Sequence, residues 1–293
     1  MNLTDINEIK SLLARHGFRF SKSMGQNFLC ADWVPRRIAA EAGLDADTGV
    51  LEIGPGVGSL TRELSARAGK VACVELDRSL EPVLAETLGG CENVSVTFGD
   101  VLRLDLGALA RTELSGCARL CVCANLPYNI TTPVLTALTG TALFDSVTVM
   151  IQREVARRVC ARENTPDYSA FTVLMQWRCR VRELFDVPPG CFIPAPKVTS
   201  TVVRLERRET PPCRVRDEKL MLEIVRAAFN QRRKTLTNAL SNSLGGRFDK
   251  RSVARALASC GLDERIRGEA LSIADFARLS DLLFSKEKQA KEL

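Results

Sequence analysis

Histidine is almost missing from this chain. His16, in the stretch ARHGF, is the only one in 293 residues. That excludes a Ser–His or Cys–His nucleophile pair elsewhere and removes the usual general base at neutral pH. His16 itself is expected at the surface. The eleven cysteines include no Cys-x-x-Cys pair. Cys117, Cys121 and Cys123 stand close together, but free cysteine in apolar runs behaves as a small hydrophobe, so no metal is expected. No apolar run approaches the ~20 residues of a membrane span, and no membrane partner is expected. The N-terminal MNLTDINEIK lacks the apolar stretch of a signal peptide, so a cytoplasmic location is expected.

What is present is ordinary for a soluble protein: 45% hydrophobic and 26% charged residues. The length suits one large domain, or a large one plus a small one. A net charge of +6 is compatible with an anionic partner without naming it.

Short apolar runs alternate with helical stretches from about residue 49 to 151. GVLEIG (49–54), KVACVEL (70–76), NVSVTFGD (93–100), RLCVCAN (119–125) and SVTVMIQ (146–152) are predicted strands, bounded by Gly, Asp and Asn. SLTRELSARA, SLEPVLAETL and TPVLTALTG carry helical spacing between them. This alternation predicts a mostly parallel sheet covered on both faces, an α/β fold. DWVPRRIAAEAG ahead of it reads as a helix starting on Asp32 and stopping at Gly43. CRVRELFDV and TSTVVRLERR read as two further strands. RRETPPC (207–213) reads as a linker, and four amphipathic helical patterns follow it. The expected division is 1–208, an α/β domain, and 209–293, a small helical one.

LEIGPGVGSLT places Gly54, Gly56 and Gly58 between a strand and a helix, where backbone can approach a ligand without a Cβ in the way. A dinucleotide fingerprint needs its third glycine at position 59, which is Ser59. The alternative is a plain tight turn. Two acids favour a ligand. Glu75 ends the second strand, where a carboxylate can accept both hydroxyls of a ribose. Asp100 ends the third, where it could meet an adenine amino group. Glu52, inside the first strand, is expected to support the loop. Without a Walker lysine, a triphosphate is not expected.

The fourth strand closes on CANLPYNITT (123–132), bringing Asn125, Leu126, Pro127 and Tyr128 to the same sheet edge. The (D/N)-x-P-Y signature they form resembles that of S-adenosylmethionine-dependent methyltransferases acting on amines conjugated to planar rings, and the chemistry this resemblance implies accounts for an amide, a rigid proline and an aromatic together. An exocyclic adenine amine needs no deprotonation before it attacks a methyl cation equivalent. It needs acceptors for its N–H bonds so that its lone pair points at the methyl. The Asn125 oxygen and the Leu126 carbonyl can supply them, Pro127 stiffens the turn, and Tyr128 can stack on an extruded base.

NLPYNI is similar to the string found in KsgA-type 16S rRNA adenine dimethyltransferases. The resemblance extends over nearly the whole chain: MGQNFL (24–29), LEIGPGVG, VELD (74–77), GD (99–100), NLPYNI, VPPGCFIPAPKVTSTVVRL (187–205) and FNQRRKTLTNAL (229–240) fall in the family's order. It implies a Rossmann-like methyltransferase sheet with an antiparallel edge strand and a small all-α C-terminal domain. It implies cofactor contacts from Asn27, Leu29, Gly54, Glu75, Asp100 and Asn125. Phe192 is implied as a second aromatic clamping the target adenine. RNA-backbone contacts are expected from Arg232, Arg233, Lys234, Arg247, Lys250, Arg251 and Arg255, a basic run opposed within its own stretch by Asp249 alone. The implied activity is transfer of four methyl groups from S-adenosylmethionine to two adjacent adenosines near the 3′ end of 16S rRNA, by a monomer acting on the small ribosomal subunit or its precursor. The rival expectations are an erythromycin-resistance-type 23S rRNA adenine dimethyltransferase and a largely non-catalytic ribosome-assembly factor on the same fold.

Overall fold

The computed structural model describes residues 1–20 and 25–291, with side chains as far as Ser285. Met24, the first residue of MGQNFL, lies outside them. The strands are β1 (Phe28–Leu29), β2 (Thr48–Ile53), β3 (Lys70–Glu75), β4 (Val94–Phe98), β5 (Arg119–Asn125), β6 (Ser146–Gln152), β7 (Cys179–Val187), β8 (Phe192–Ile193) and β9 (Ser200–Arg207). Seven of them form one sheet in the order β4-β3-β2-β5-β6-β9-β7. β2 pairs in parallel with both β3 and β5, as do β3 with β4 and β5 with β6, whereas β9 runs antiparallel to β6. The antiparallel strand sits one place inside the edge, because β7 pairs outside it.

Burial explains the strand signals. Every residue of β2 is buried, as are five of six in β3, as expected for central parallel strands covered on both faces. β4 is half-buried throughout, in keeping with its place at the edge. The chain steps from β2 outward to β3 and β4, then returns to pair β5 on β2's other side. The reversal between β2 and β5 is the switch point at which open α/β sheets bind ligands. The helix predicted from Asp32 spans Trp33–Glu41, and Gly43 follows it at φ +64. Asp32 does not cap it through its side chain, which instead lies 3.3 Å from Arg36. Among the described residues, no helix is long and apolar enough to cross a membrane.

The chain forms two compact units, and their division corrects the expected boundary. One unit is Met1–Ala156 with Arg180–Arg207; the other joins Arg157–Cys179 to the chain from Arg208 onward. Packing is the reason. Tyr168, Val173 and Trp177 are buried in the same apolar core as Met221, Phe248 and Phe276. The Tyr168 hydroxyl donates to the Leu271 carbonyl at 2.9 Å within it. Around that core lie helices Ala170–Arg178, Glu218–Asn230, Leu236–Ser243, Lys250–Ser259 and Ile273–Lys291.

Candidate active site

The carboxyl ends of β2, β3 and β5, with the loop after β4, surround a cavity in the sheet-bearing unit. Residues 25–29 form part of its wall. Of that segment, β1 pairs antiparallel with β8, Leu29 opposite Phe192. Gln26 donates to an Asp77 carboxylate oxygen at 2.7 Å, and the Asn27 side chain donates to the Gly25 carbonyl at 2.9 Å. Leu29 reaches the cavity but is otherwise buried beside Val34 and Ile38.

The three loop glycines serve different ends. All have positive φ, at +71, +60 and +86 for Gly54, Gly56 and Gly58, a region L residues enter at a cost. A Cβ on Gly56 would lie 2.9 Å from the Phe28 ring, and one on Gly58 would lie 2.9 Å from Leu88. Those two are needed for packing. At Gly54 a Cβ would meet only Pro127, at 3.9 Å. Gly54 is therefore the glycine that leaves backbone open toward the cavity.

Glu75 is buried at the cavity wall and receives the Asp77 backbone N–H at 2.9 Å. Its other oxygen takes a long 3.4 Å bond from the Gly56 N–H. Burial pushes this carboxyl up from its ordinary value, against the pull of those backbone bonds. Two acceptor oxygens held at the end of a strand fit a ribose diol. Asp100 also lines the cavity; one oxygen takes the Leu102 N–H at 3.0 Å and the other lies 3.4 Å from Arg103. Glu52 reaches the wall as well, 1% exposed, and accepts from the Cys73 thiol at 3.5 Å. Burial above all pushes its carboxyl up to about 7, and nearby Glu75 adds to the rise.

Asn125 is the last residue of β5. Its amide nitrogen donates to the Asn27 carbonyl at 3.1 Å. That bond decides the orientation of the amide: the nitrogen is committed, so Oδ1 is the acceptor left for a ligand. The Leu126 N–H is held by the Met150 carbonyl at 3.1 Å. Among the described residues, no donor takes the Leu126 carbonyl or Asn125 Oδ1. Pro127, at φ −56 and ψ 131, carries the chain into a 3-10 turn at Tyr128–Ile130. Tyr128 lines the cavity and its hydroxyl is 2.7 Å from Ser200 Oγ. Burial pushes the phenol up, so it stays neutral at physiological pH. Among the described wall residues there is no histidine or lysine. The arrangement can hold a nucleoside and orient an amine, but it offers no conventional strong base.

Phe192 is 4% exposed, packed in the apolar cluster with Leu29 and Val187, and is not part of the cavity wall. Pairing of β8 with β1 turns it inward. His16 is not a free surface residue: it is half-buried, with Nε2 2.6 Å from Glu86. In the helical unit all seven predicted basic residues are exposed. Two are engaged there: Arg232 donates to Glu269 at 2.6 Å and to the Thr165 carbonyl at 3.3 Å, and Arg247 pairs with Glu223 at 2.7 Å. Arg233, Lys234, Lys250, Arg251 and Arg255 make no salt bridge among the described residues. Sequence reasoning missed Gln26, Asp77's contact to it, and Ser200, although all three lie inside stretches it had singled out.

A mostly parallel sheet with a cavity and an amide–proline–tyrosine exit at its switch point is the architecture of a Rossmann-like methyltransferase. A family model described as ribosomal RNA adenine dimethylase matches residues 17–284, and the chain belongs to that family. It is 46% identical over 285 residues to ribosomal RNA small subunit methyltransferase A of Clostridium perfringens strain 13, covering 95% of this chain and 98% of that protein. The protein of the same name in Geobacillus kaustophilus is 45% identical over 276 residues, 94% of each chain. Among solved structures, a dimethyladenosine transferase from Plasmodium falciparum superposes with a TM-score of 0.73 at 26% identity, covering 89% of this chain and 98% of that one. The 23S rRNA methyltransferase ErmE gives 0.67 at 28% identity, covering 88% and 100%.

Proposed function

We propose that this enzyme transfers methyl groups from S-adenosylmethionine to the N6 amines of two adjacent adenosines near the 3′ end of 16S rRNA. It acts as a cytoplasmic monomer on the small subunit or its precursor. The observation that carries the chemistry is the committed amide of Asn125, which leaves Oδ1 and the neighbouring Leu126 carbonyl as two acceptors at one point. The choice of small-subunit RNA is supported by relatives of that name at 45–46% identity, against 28% for ErmE.

When bound, S-adenosylmethionine supplies an electrophilic sulfonium methyl. Glu75 would hold its ribose hydroxyls, Asp100 its adenine edge, and Gly54, Asn27 and Leu29 the space beside its amino-acid arm. Asn125 Oδ1 and the Leu126 carbonyl accept the two N–H bonds of the target amine and turn its lone pair toward the methyl. Pro127 limits backbone motion, and Tyr128 stacks on the flipped base. Attack would form the nitrogen–methyl bond as the methyl–sulfur bond breaks, and the cationic amine, a strong acid, would release one proton to water. Positioning accounts for the rate, since a well-aligned pair can gain on the order of 10⁵ M in effective concentration. The second transfer proceeds with one N–H remaining, so one acceptor contact is dispensable. Arg233, Lys234, Lys250, Arg251 and Arg255 of the helical unit would meet RNA phosphates.

Incubation of the purified protein with labelled cofactor and a mixture of 23S RNA and small subunits lacking the modification, followed by mapping of the label, tests the proposal. Label on two adjacent 16S adenosines is expected. Label confined to 23S RNA would support the rival specificity, and none on adenosine in any assembly state would refute the activity.

A further inference from the structure

We propose that Ser200 is a positioning residue for methyl transfer, its hydroxyl holding the far end of the Tyr128 ring against the target base. The two oxygens lie 2.7 Å apart, a strong O–H···O bond. The inference rests on the adenine-methylating function proposed above and assigns a residue to it.

The topology explains how a residue 72 positions away reaches the catalytic turn. The parallel strands all end at the ligand edge. β9 runs the other way beside β6, so its first residue, Ser200, starts at that edge. Ser200 is fully buried and paired in register with Gln152. Its neighbours are fastened too: the Thr199 carbonyl takes the Arg153 N–H at 3.0 Å, and the Thr201 hydroxyl donates to Asp186. The hydroxyl of Ser200 is thus presented from a rigid strand.

Tyr128 is held at its other end by the turn, where the Pro127 carbonyl takes both the Ile130 N–H and the Thr131 hydroxyl at 3.2 Å. A tyrosine oxygen lies on the long axis of its ring. A bond to that oxygen stops the ring from swinging about χ1, the motion that would carry it away from a stacked base, while leaving rotation about the axis free. Stacking matters most in the second transfer, when a monomethylated amine has one N–H left and contact with the ring must keep the base from sliding away.

Single-turnover assays on unmodified small subunits, with mono- and dimethyladenosine resolved, test the role. Ser200→Ala should lower the transfer rate about tenfold, with RNA and cofactor affinities within about threefold of wild type. It should also raise the fraction of monomethyl product. Tyr128→Phe removes the same bond from the other side, so it should give the same loss, and the double variant should be no worse than either single one. Ser200→Thr, which keeps the hydroxyl on a strand, should restore most of the rate. If Ser200→Ala does not fold, Tyr128→Phe with Ser200 intact still reads the bond. An unchanged rate and product ratio in Tyr128→Phe, or multiplicative losses in the double variant, would overturn the assignment. Wild-type enzyme run alongside separates the two claims: failure to label adenosine there refutes the function, whereas normal labelling with unaffected variants refutes only the part given to Ser200.

Discussion

Asn125→Ala removes the acceptor on which the chemistry is argued to turn. In the folded protein the amide makes one bond, from Nδ2 to the Asn27 carbonyl at 3.1 Å, and keeps Oδ1 for the amine. During transfer the amine nitrogen becomes cationic, so the bond it donates to Oδ1 strengthens. A hydrogen bond to a charged group contributes about 1.5–3 kcal/mol, and loss of alignment adds to that. A total of about 2–4 kcal/mol corresponds to a fall of roughly 30- to 1,000-fold in kcat, at ~1.4 kcal/mol per factor of ten. Affinity for RNA comes mainly from cationic side chains that neutralise phosphates, and Asn125 carries no charge, so it should change by less than about threefold. Single-turnover transfer from pre-bound labelled cofactor measures the first quantity, and filter binding to unmodified subunits the second. Equal losses in both would mean that the amide holds structure instead of orienting the amine. A kcat within threefold of wild type would mean that Leu126's carbonyl suffices.

Glu75→Ala should weaken cofactor binding about 100-fold, since two hydroxyl contacts at ~1.5 kcal/mol each are lost; equilibrium dialysis measures it. Gly56→Ala should lower Tm more than Gly54→Ala, because its Cβ enters the Phe28 ring at 2.9 Å while that of Gly54 meets only Pro127 at 3.9 Å. Both pay for positive φ, about 1–2 kcal/mol, so thermal melts should separate them by the packing clash. Glu52 makes stability depend on pH. Its folded carboxyl is raised from 4.5 to about 7, so the folded chain holds that proton more tightly than the unfolded one. Its contribution is complete below about pH 4.5 and is lost as pH rises through about 7, an upper limit of about 3 kcal/mol. Glu52→Gln should flatten that fall, as urea midpoints at pH 5 and pH 8 will register. Arg233→Ala should reduce the salt dependence of RNA binding by about one ion with little change in Tm, whereas Arg232→Ala should lower Tm through loss of Glu269 and Thr165 contacts.

The sheet and the NLPY turn were legible because each is written locally. β2, β3, β5 and β6 are apolar runs with Gly, Asp or Asn at or near one boundary, and NLPY puts its groups on consecutive residues. Contacts made across long separations were not. Ser200 meets Tyr128 from another strand, and Gln26 meets Asp77 from 51 positions away. Helix Ala170–Arg178 has no polar face, so its periodicity carried no signal; its capping box uses Thr172 in place of an acidic or amide residue. Phe192 lies in a two-residue strand paired with β1, and no local pattern encodes that pairing. The basic run looked unopposed because its partners, Glu223 and Glu269, lie outside it in sequence.

The unit holding Tyr168 and Trp177 is assembled from two separated pieces of chain. It is therefore not a detachable tail. Cutting at residue 208 would strip those aromatics of their cover and leave an oily, aggregation-prone stub on the catalytic half. A fragment made only of the last eighty-odd residues, about the size of a minimal small domain, would lack part of its own interior. Anyone wishing to express this half alone must splice two distant stretches of the gene, and losing either half by truncation is unlike losing an appendage.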